Sequence, residues 1–364
     1  AGPAAQRISA DARAAVTARL ARVAAVLGVL AIPAVLTDLA HAGHHGYHYG
    51  AAWHSLYNGT SDGLLSGLEL TLILAGSALV APLAARKGAS GPARRGLLPA
   101  GFAAGAVSLG LTKFPSAAPH PGQWGRTVFE TAMWMFHLYG GAIWLGGVAG
   151  LALLALPGVI APADRGVFWS VAIRRFSAAA MGCVAGIALS GLFLYWEHVD
   201  GPSQLLSTMY GRVLGVKILI FGALLLLGMF NQFWLHPRIE ALRAHGDNRP
   251  LHILLVRRFP AVVTAEGVLG LLVVFVAPFL HGSARNQAFQ AAAARHSATP
   301  LPLSSLPKLP PKTVTASTWA WGIAETVVVI ALMAAGYWYS GVLARRRAGE
   351  APVPVRSDPQ PVEA

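Results

Sequence analysis

The chain has 364 residues, of which 55% are hydrophobic and only 12% charged, with a formal net charge of +13. A soluble globular chain averages about 25% charged residues, so too few are present to coat a water-soluble protein of this size. The positive charges sit in short segments between apolar blocks, which is a membrane-orientation pattern and not a nucleic-acid-binding stripe. The single Cys, Cys183, lies inside an apolar block, leaving no disulfide framework and no CxxC metal motif.

Each apolar block approaches the ~20 residues that a bilayer-spanning helix requires. At that depth the backbone must satisfy its own hydrogen bonds, which helices do. The pattern predicts an all-α, polytopic membrane helix bundle of about eight transmembrane helices, near 18–40, 62–84, 96–112, 127–156, 176–197, 212–235, 259–280 and 319–342. The third is the shortest. No sizeable soluble domain is left over, and no internal repeat stands out.

Charge sets the orientation. With the N-terminus inside, inner segments hold twenty of the 28 Lys and Arg, including Arg19, Arg22, Arg94, Arg95, Arg174, Arg175, Arg257, Arg258 and the run Arg345–Arg347. Outer segments keep seven, and Lys217 lies within a span. Both termini are therefore expected on the cytoplasmic side of a bacterial plasma membrane. A competing reading takes the Arg-rich flank, the first apolar stretch and Ala40-His41-Ala42 as a cleaved signal peptide, with no change to the topology downstream. The outer segment 286–318, with Pro300, Pro302, Pro307, Pro310 and Pro311, reads as a flexible tether before a last helix over 319–344. The polar, Pro-rich tail 345–364 reads as disordered.

On this topology the histidines sort unevenly. His41, His44, His45, His48, His54, His120, His198, His281 and His296 fall outside, and only His137 lies well within a span. Five come from HAGHHGYHYGAAWH, directly after the first helix. Neutral imidazole is a good ligand for copper, nickel and zinc. Gly43, Gly46 and Gly50 favour a loop that wraps an ion over a helix that displays one. The plainer alternative is a polar interfacial loop with no ion. The density of imidazoles favours a metal, with His41, His44, His45, His48, His54, His137 and His281 as candidate ligands; spacing alone does not separate copper from zinc.

Ionisable residues inside spans are costly and usually functional. Glu69, Glu130, His137, Lys217, Glu266 and Glu325 qualify, with Asn231 as a neutral companion. Glu130, Met133, Trp134, His137, Gly141 and Trp144 share one helical face, which should turn inward. Depth at 1.5 Å per residue puts Glu69, Glu130, Lys217 and Glu325 in the outer third, His137 near the middle, and Glu266 and Asn231 in the inner third. A polar path then runs from the outer His loop past His137 towards Glu266 and Asn231. The alternative is that these groups only set helix packing.

The stretch from about 130 to 285 resembles the membrane domain of the bacterial copper-resistance protein D family. The matching pieces are HLYGGAIWLGG at 137–147, RRFSAAAM with a later SG at 174–191, TMYGRVLGVK at 208–217, the Asn231 region, and RRFPAVVTAEGVLG at 257–270. The resemblance divides the chain into an N-terminal three-helix region over 1–126, a copper-resistance-D-like membrane domain over 127–285, and the segments after it. It implies copper transport across the plasma membrane, usually taken as import, and carries over His137, Trp144, Lys217 and Glu266. No fused outer copper-binding β-domain accompanies it, so a separate outer-side copper-carrier protein is an open partner. The oxidation state of the copper ion is not implied.

No P-loop is present, so transport would be passive or coupled to an ion gradient through Glu266 or Glu130. No nucleophile–base pair or cofactor motif points to an enzyme. Two other functions remain open on the sequence. One is a membrane haem or quinone-type redox protein, disfavoured because only His137 lies at haem depth. The other is a copper-delivery factor for respiratory oxidase assembly, which the His loop would serve equally well.

Overall fold

The computed structural model describes residues 8–42, 48–88, 91–115, 117–156, 158–230, 258–280, 282–296, 309–310 and 312–349. Among these residues the fold is entirely helical. The long helices are α1 (Ala10–Ala42), α3 (Ser61–Val80), α4 (Pro92–Leu111), α5 (Trp124–Ala155), α6 (Arg165–His198), α8 (Met209–Phe230), α9 (Arg258–Val276) and α11 (Ala316–Gly349). Shorter ones are α2 (Tyr49–Ser55), α7 (Gln204–Ser207) and α10 (Ala284–His296).

Every predicted span coincides with a helix, and six helices are long and apolar enough to cross a membrane: α1, α3, α5, α6, α8 and α11. The other two predicted positions are occupied by α4 and α9. The segment expected to be a tether departs from expectation, because all but the first two of α10's thirteen residues lie within it. Its run Ala291–Ala294 supplies the helix propensity that a reading centred on the prolines overlooked.

The helices pack mainly as sequence neighbours: α3 against α1 and α4, α5 against α6, and α8 against α9. Further contacts join α5 to α1, α4 and α9, and α11 to α6. The best-buried side chains collect at the two ends of this bundle. At one end Ile8, Ala12 and Val16 pack with Leu154, Phe168 and Trp169. Polar contacts hold the same end, with Arg19 donating to Leu153 O at 3.2 Å and Ser9 donating to Asp164 at 2.8 Å. At the other end Val199, Tyr210 and Ala284 form a small core, and Leu39, Ala40 and Ala52 form another.

Between the ends, large apolar side chains point outward: Phe102 is 75% exposed, Leu219 74% and Leu271 68%. In water such a surface would be an aggregation liability. In hydrocarbon it costs nothing, and helix association there relies on close contact between small residues and on hydrogen bonds. The chain is a multi-pass membrane protein.

The closest approach that matters below is between α5 and α6 at Gly140. A Cβ at that position would lie 3.0 Å from Cys183 O and 3.0 Å from Ile187 Cγ1. Gly140→Val is therefore expected to force the two helices apart, with a loss of about 1–3 kcal/mol, read as a lower melting temperature of the detergent-solubilised protein.

Candidate metal centre

The centre forms at the bundle end where α5 begins and α6 finishes. It starts with a tight turn. His120-Pro121-Gly122-Gln123 closes with Gln123 N donating to His120 O at 3.0 Å, and Gly122 takes φ +79°. Pro at the second position and a positive-φ Gly at the third are what a type II turn requires. The turn delivers the chain into α5 and leaves His120 just ahead of the helix. Thr127, in its first turns, then clamps His120: the His120 N–H donates to Thr127 Oγ1 at 3.3 Å, and the Thr127 hydroxyl lies 3.2 Å from His120 O. Both residues are buried.

Three residues further along α5, and so nearly on the same face as Thr127, Glu130 presents its carboxylate to His120 Nε2 in a short, charge-assisted contact. Glu197 comes from the last turn of α6. Single ligand atoms of His120, Glu130 and Glu197 all lie within 4.8 Å of one another. The side chains are shielded, at 7% exposure for His120 and 14% for each glutamate. Arg126 approaches from the first turn of α5, its Nη2 3.9 Å from Glu197 Oε1, too long for a hydrogen bond. Glu197 Oε2 and the Nε and Nη2 of Arg126 have no hydrogen-bond partner within the described protein. One imidazole nitrogen and two carboxylate oxygens, one of them unengaged, make a donor set for a borderline divalent ion such as Cu(II) or Zn(II).

The end of α6 is held in place by residues distant in sequence. Lys312, ahead of α11, donates to Trp196 O at 2.5 Å and Val199 O at 2.8 Å, and pairs with Asp200 at 3.0 Å. A cation on the last carbonyls of a helix also suits its dipole. Arg285 of α10 reaches the same Asp200 oxygen at 3.4 Å. Phe193 of α6 packs edge-to-face on Phe129 of α5, and Phe129 on Trp319 of α11, with centroids 5.1 and 5.3 Å apart. These contacts fix the angle at which Glu197 meets Glu130.

Deeper in the bundle, His137 Nδ1 lies 3.0 Å from the hydroxyl of Ser190 on α6. Ser190 is fully buried and donates onward to Gly186 O at 2.5 Å. Trp144 meets Phe221 of α8 edge-to-face at 6.2 Å, tying the α5 stripe to α8. The inward stripe expected on α5 is thus seen for Glu130, Trp134, His137 and Trp144, which all make contacts with other segments. Lys217 is partly buried on α8.

The outer His stretch divides differently. His41 belongs to the end of α1, with no side-chain placement described. His44 and His45 lie outside the described residues, as do Asn231 and His281. His48 precedes α2 and His54 lies within it, both exposed. Glu266 falls on α9, with its side chain undescribed, and Glu325 is exposed on α11. The structure brings none of the described His-loop residues into a ligand cluster. On the sequence alone His120 is one outer histidine among nine, and Glu197 does not stand out. The signal for Glu197 was available: Glu197-His198 closes a long apolar helix, where a carboxylate needs a partner.

Residues 170–280 match the family model described as Copper resistance protein D. The similarity to that family expected from the sequence is therefore borne out over α6–α9, while the α5 piece at 137–147 lies outside the matched segment. Among curated proteins, Copper transport protein CutJ of Bacillus subtilis (strain 168) is 36% identical over 95 residues, covering 26% of this chain and 17% of CutJ. The match thus spans about a sixth of that relative's length. No solved structure matches the chain significantly.

Thr127 is the residue on which the position of His120 rests most directly. Thr127→Val keeps the volume and removes both hydroxyl contacts. It is expected to lower stability by about 1–2 kcal/mol, measured by thermal unfolding in detergent.

Proposed function

We propose that the protein carries copper ions across the plasma membrane towards the cytoplasm, loading them at the His120–Glu130–Glu197 cluster. The carrying observation is that a shielded imidazole and two carboxylates converge at one end of the bundle, on and beside the segment similar to copper resistance protein D. The name of the CutJ relative agrees with the cargo. Placing that end outside follows from the charge asymmetry, with both termini and twenty of the 28 basic residues inside across eight spans. The outer His stretch, with His41, His44, His45, His48 and His54, collects ions at the surface together with His281 and raises their local concentration.

The α5 stripe then supplies the way in. His137 and Trp144 on that stripe lead inward, with Lys217 of α8 nearer the outer side and Glu266 and Asn231 as the further pathway residues towards the inner side. No step in this reading makes or breaks a covalent bond, so the protein acts as a transporter and not as an enzyme. Movement is passive or driven by an ion gradient. An outer-side copper-carrier protein would load the site by ligand exchange at His120, the cluster member contributed by a loop.

Three measurements test this reading. Copper uptake by the purified full chain in liposomes loaded with a copper chelator should exceed that of empty liposomes; equal uptake would reject transport. Glu197→Gln and His120→Ala should each weaken copper affinity at least tenfold, measured by competition with a chromogenic chelator, because each removes one of three ligands. In the wild type, copper at about 100 times its dissociation constant should add about 2.7 kcal/mol of stability, and Glu197→Gln should lose about half of that gain or more. For orientation, a cysteine at Ser357, in a Cys183→Ala background, should react with an impermeant maleimide only after the membrane is opened from the cytoplasmic side.

A further inference from the structure

We propose that His198 is a second copper-binding station, beside the His120–Glu130–Glu197 cluster at the same end of the bundle, and that it passes the ion on towards His137. This rests on the transport reading above and specifies the next position on its path.

Three observations converge on His198. Its ring is held on two sides: it lies parallel to the Tyr210 ring of α8, with centroids 5.8 Å apart and planes 11° apart, and meets the edge of Trp134 at 6.4 Å and 90°. An imidazole fixed this way loses little further freedom when it binds an ion. Its Nδ1 lies 2.8 Å from Leu194 O. A carbonyl only accepts, so Nδ1 carries the proton, and in the neutral ring Nε2 keeps a free lone pair. Metal-binding histidines characteristically have this arrangement, one nitrogen donating to a backbone carbonyl and the other facing the ion. Among the described residues, Nε2 has no hydrogen-bond partner.

The third observation is position. His198 follows Glu197 directly. The residue it faces on α5, Trp134, stands four residues beyond Glu130, about 6 Å further along the axis. Going deeper, Ser190 lies eight residues back along α6 on nearly the same face, and it holds the Nδ1 of His137 at 3.0 Å. Both histidines thus have Nδ1 engaged by α6. On this reading an ion leaving the carboxylates passes to one imidazole and then to the other.

A purely structural role is the competing account: a ring wedged between aromatics and tied to a carbonyl could serve packing alone. His198→Asn separates the two. Its amide can still donate to Leu194 O, but its Oδ1 is a hard carbonyl oxygen, a far weaker copper donor than the imidazole Nε2. The experiment uses the full chain in lipid nanodiscs and in chelator-loaded liposomes, with copper salt alone as the probe. For His198→Asn we expect an unchanged melting temperature, an unchanged Cu(II) electron paramagnetic resonance signal from the outer cluster, and at least a tenfold fall in copper uptake. His198→Cys, which restores a ligand, should recover uptake. If His198→Asn melts early, His198→Phe, which keeps the ring stack without a ligand, replaces it in the same comparison.

Uptake by the ligand-free variant equal to wild type would overturn the proposal, as would loss of the outer-cluster signal in that variant or a His198→Cys protein no better than it. A wild type that takes up no copper would instead reject the transport reading itself, so the two failures are distinguishable.

Discussion

Glu130 and Glu197 stand near the ends of two long apolar helices, shielded from solvent, and an ionised carboxylate in such surroundings is expensive unless something answers its charge. What answers it is a crossing of segments: His120 from a turn before α5 meets Glu130, and Arg126 from the first turn of α5 approaches Glu197 at the end of α6. The rest of the arrangement follows from keeping that crossing in register. Gly140 lets α5 and α6 lie close. The Pro121-Gly122 turn and Thr127 bring His120 to the right height. Lys312 and Arg285 hold the terminus of α6 through Asp200. A cluster assembled in this way is costly when only partly paired, and that favours a cation arriving to complete it.

Much of the architecture was legible in the sequence because membrane spans have a coarse signature. Block length, the scarcity of charge and the placement of Arg are properties of whole segments, and they survive errors of a few residues at each boundary. All eight predicted spans coincide with helices for that reason. The α5 stripe was legible too, because Glu130, Trp134, His137 and Trp144 repeat at helical spacing on a face that had to turn inward.

The site was less legible because its members come from different segments. His120 lies ten residues before Glu130 across a turn, and Glu197 lies sixty-seven residues after Glu130. No periodicity links them; only the pairing of α5 with α6 does. Histidine density pointed instead to the stretch 41–54, where the imidazoles are close in sequence. In the structure His48 and His54 are exposed on a separate short element. Crowding along the chain and convergence in space are different quantities, and a ligand set is defined by the second. The helix α10 was hidden for a related reason: the prolines after it drew attention away from the alanines within it.

Lys312 has one further consequence. The segment that matches the copper-resistance family ends at residue 280, and it contains Glu197 and His198 but neither the turn that brings His120 nor the lysine that caps α6. Homology therefore marks out a stretch of chain that is not a chemically complete unit. Transplanting residues 170–280 into a relative would move Glu197 without His120 or Glu130 and leave its supports behind. The recipient's own flanking regions would then have to supply a replacement cation at the same carbonyls.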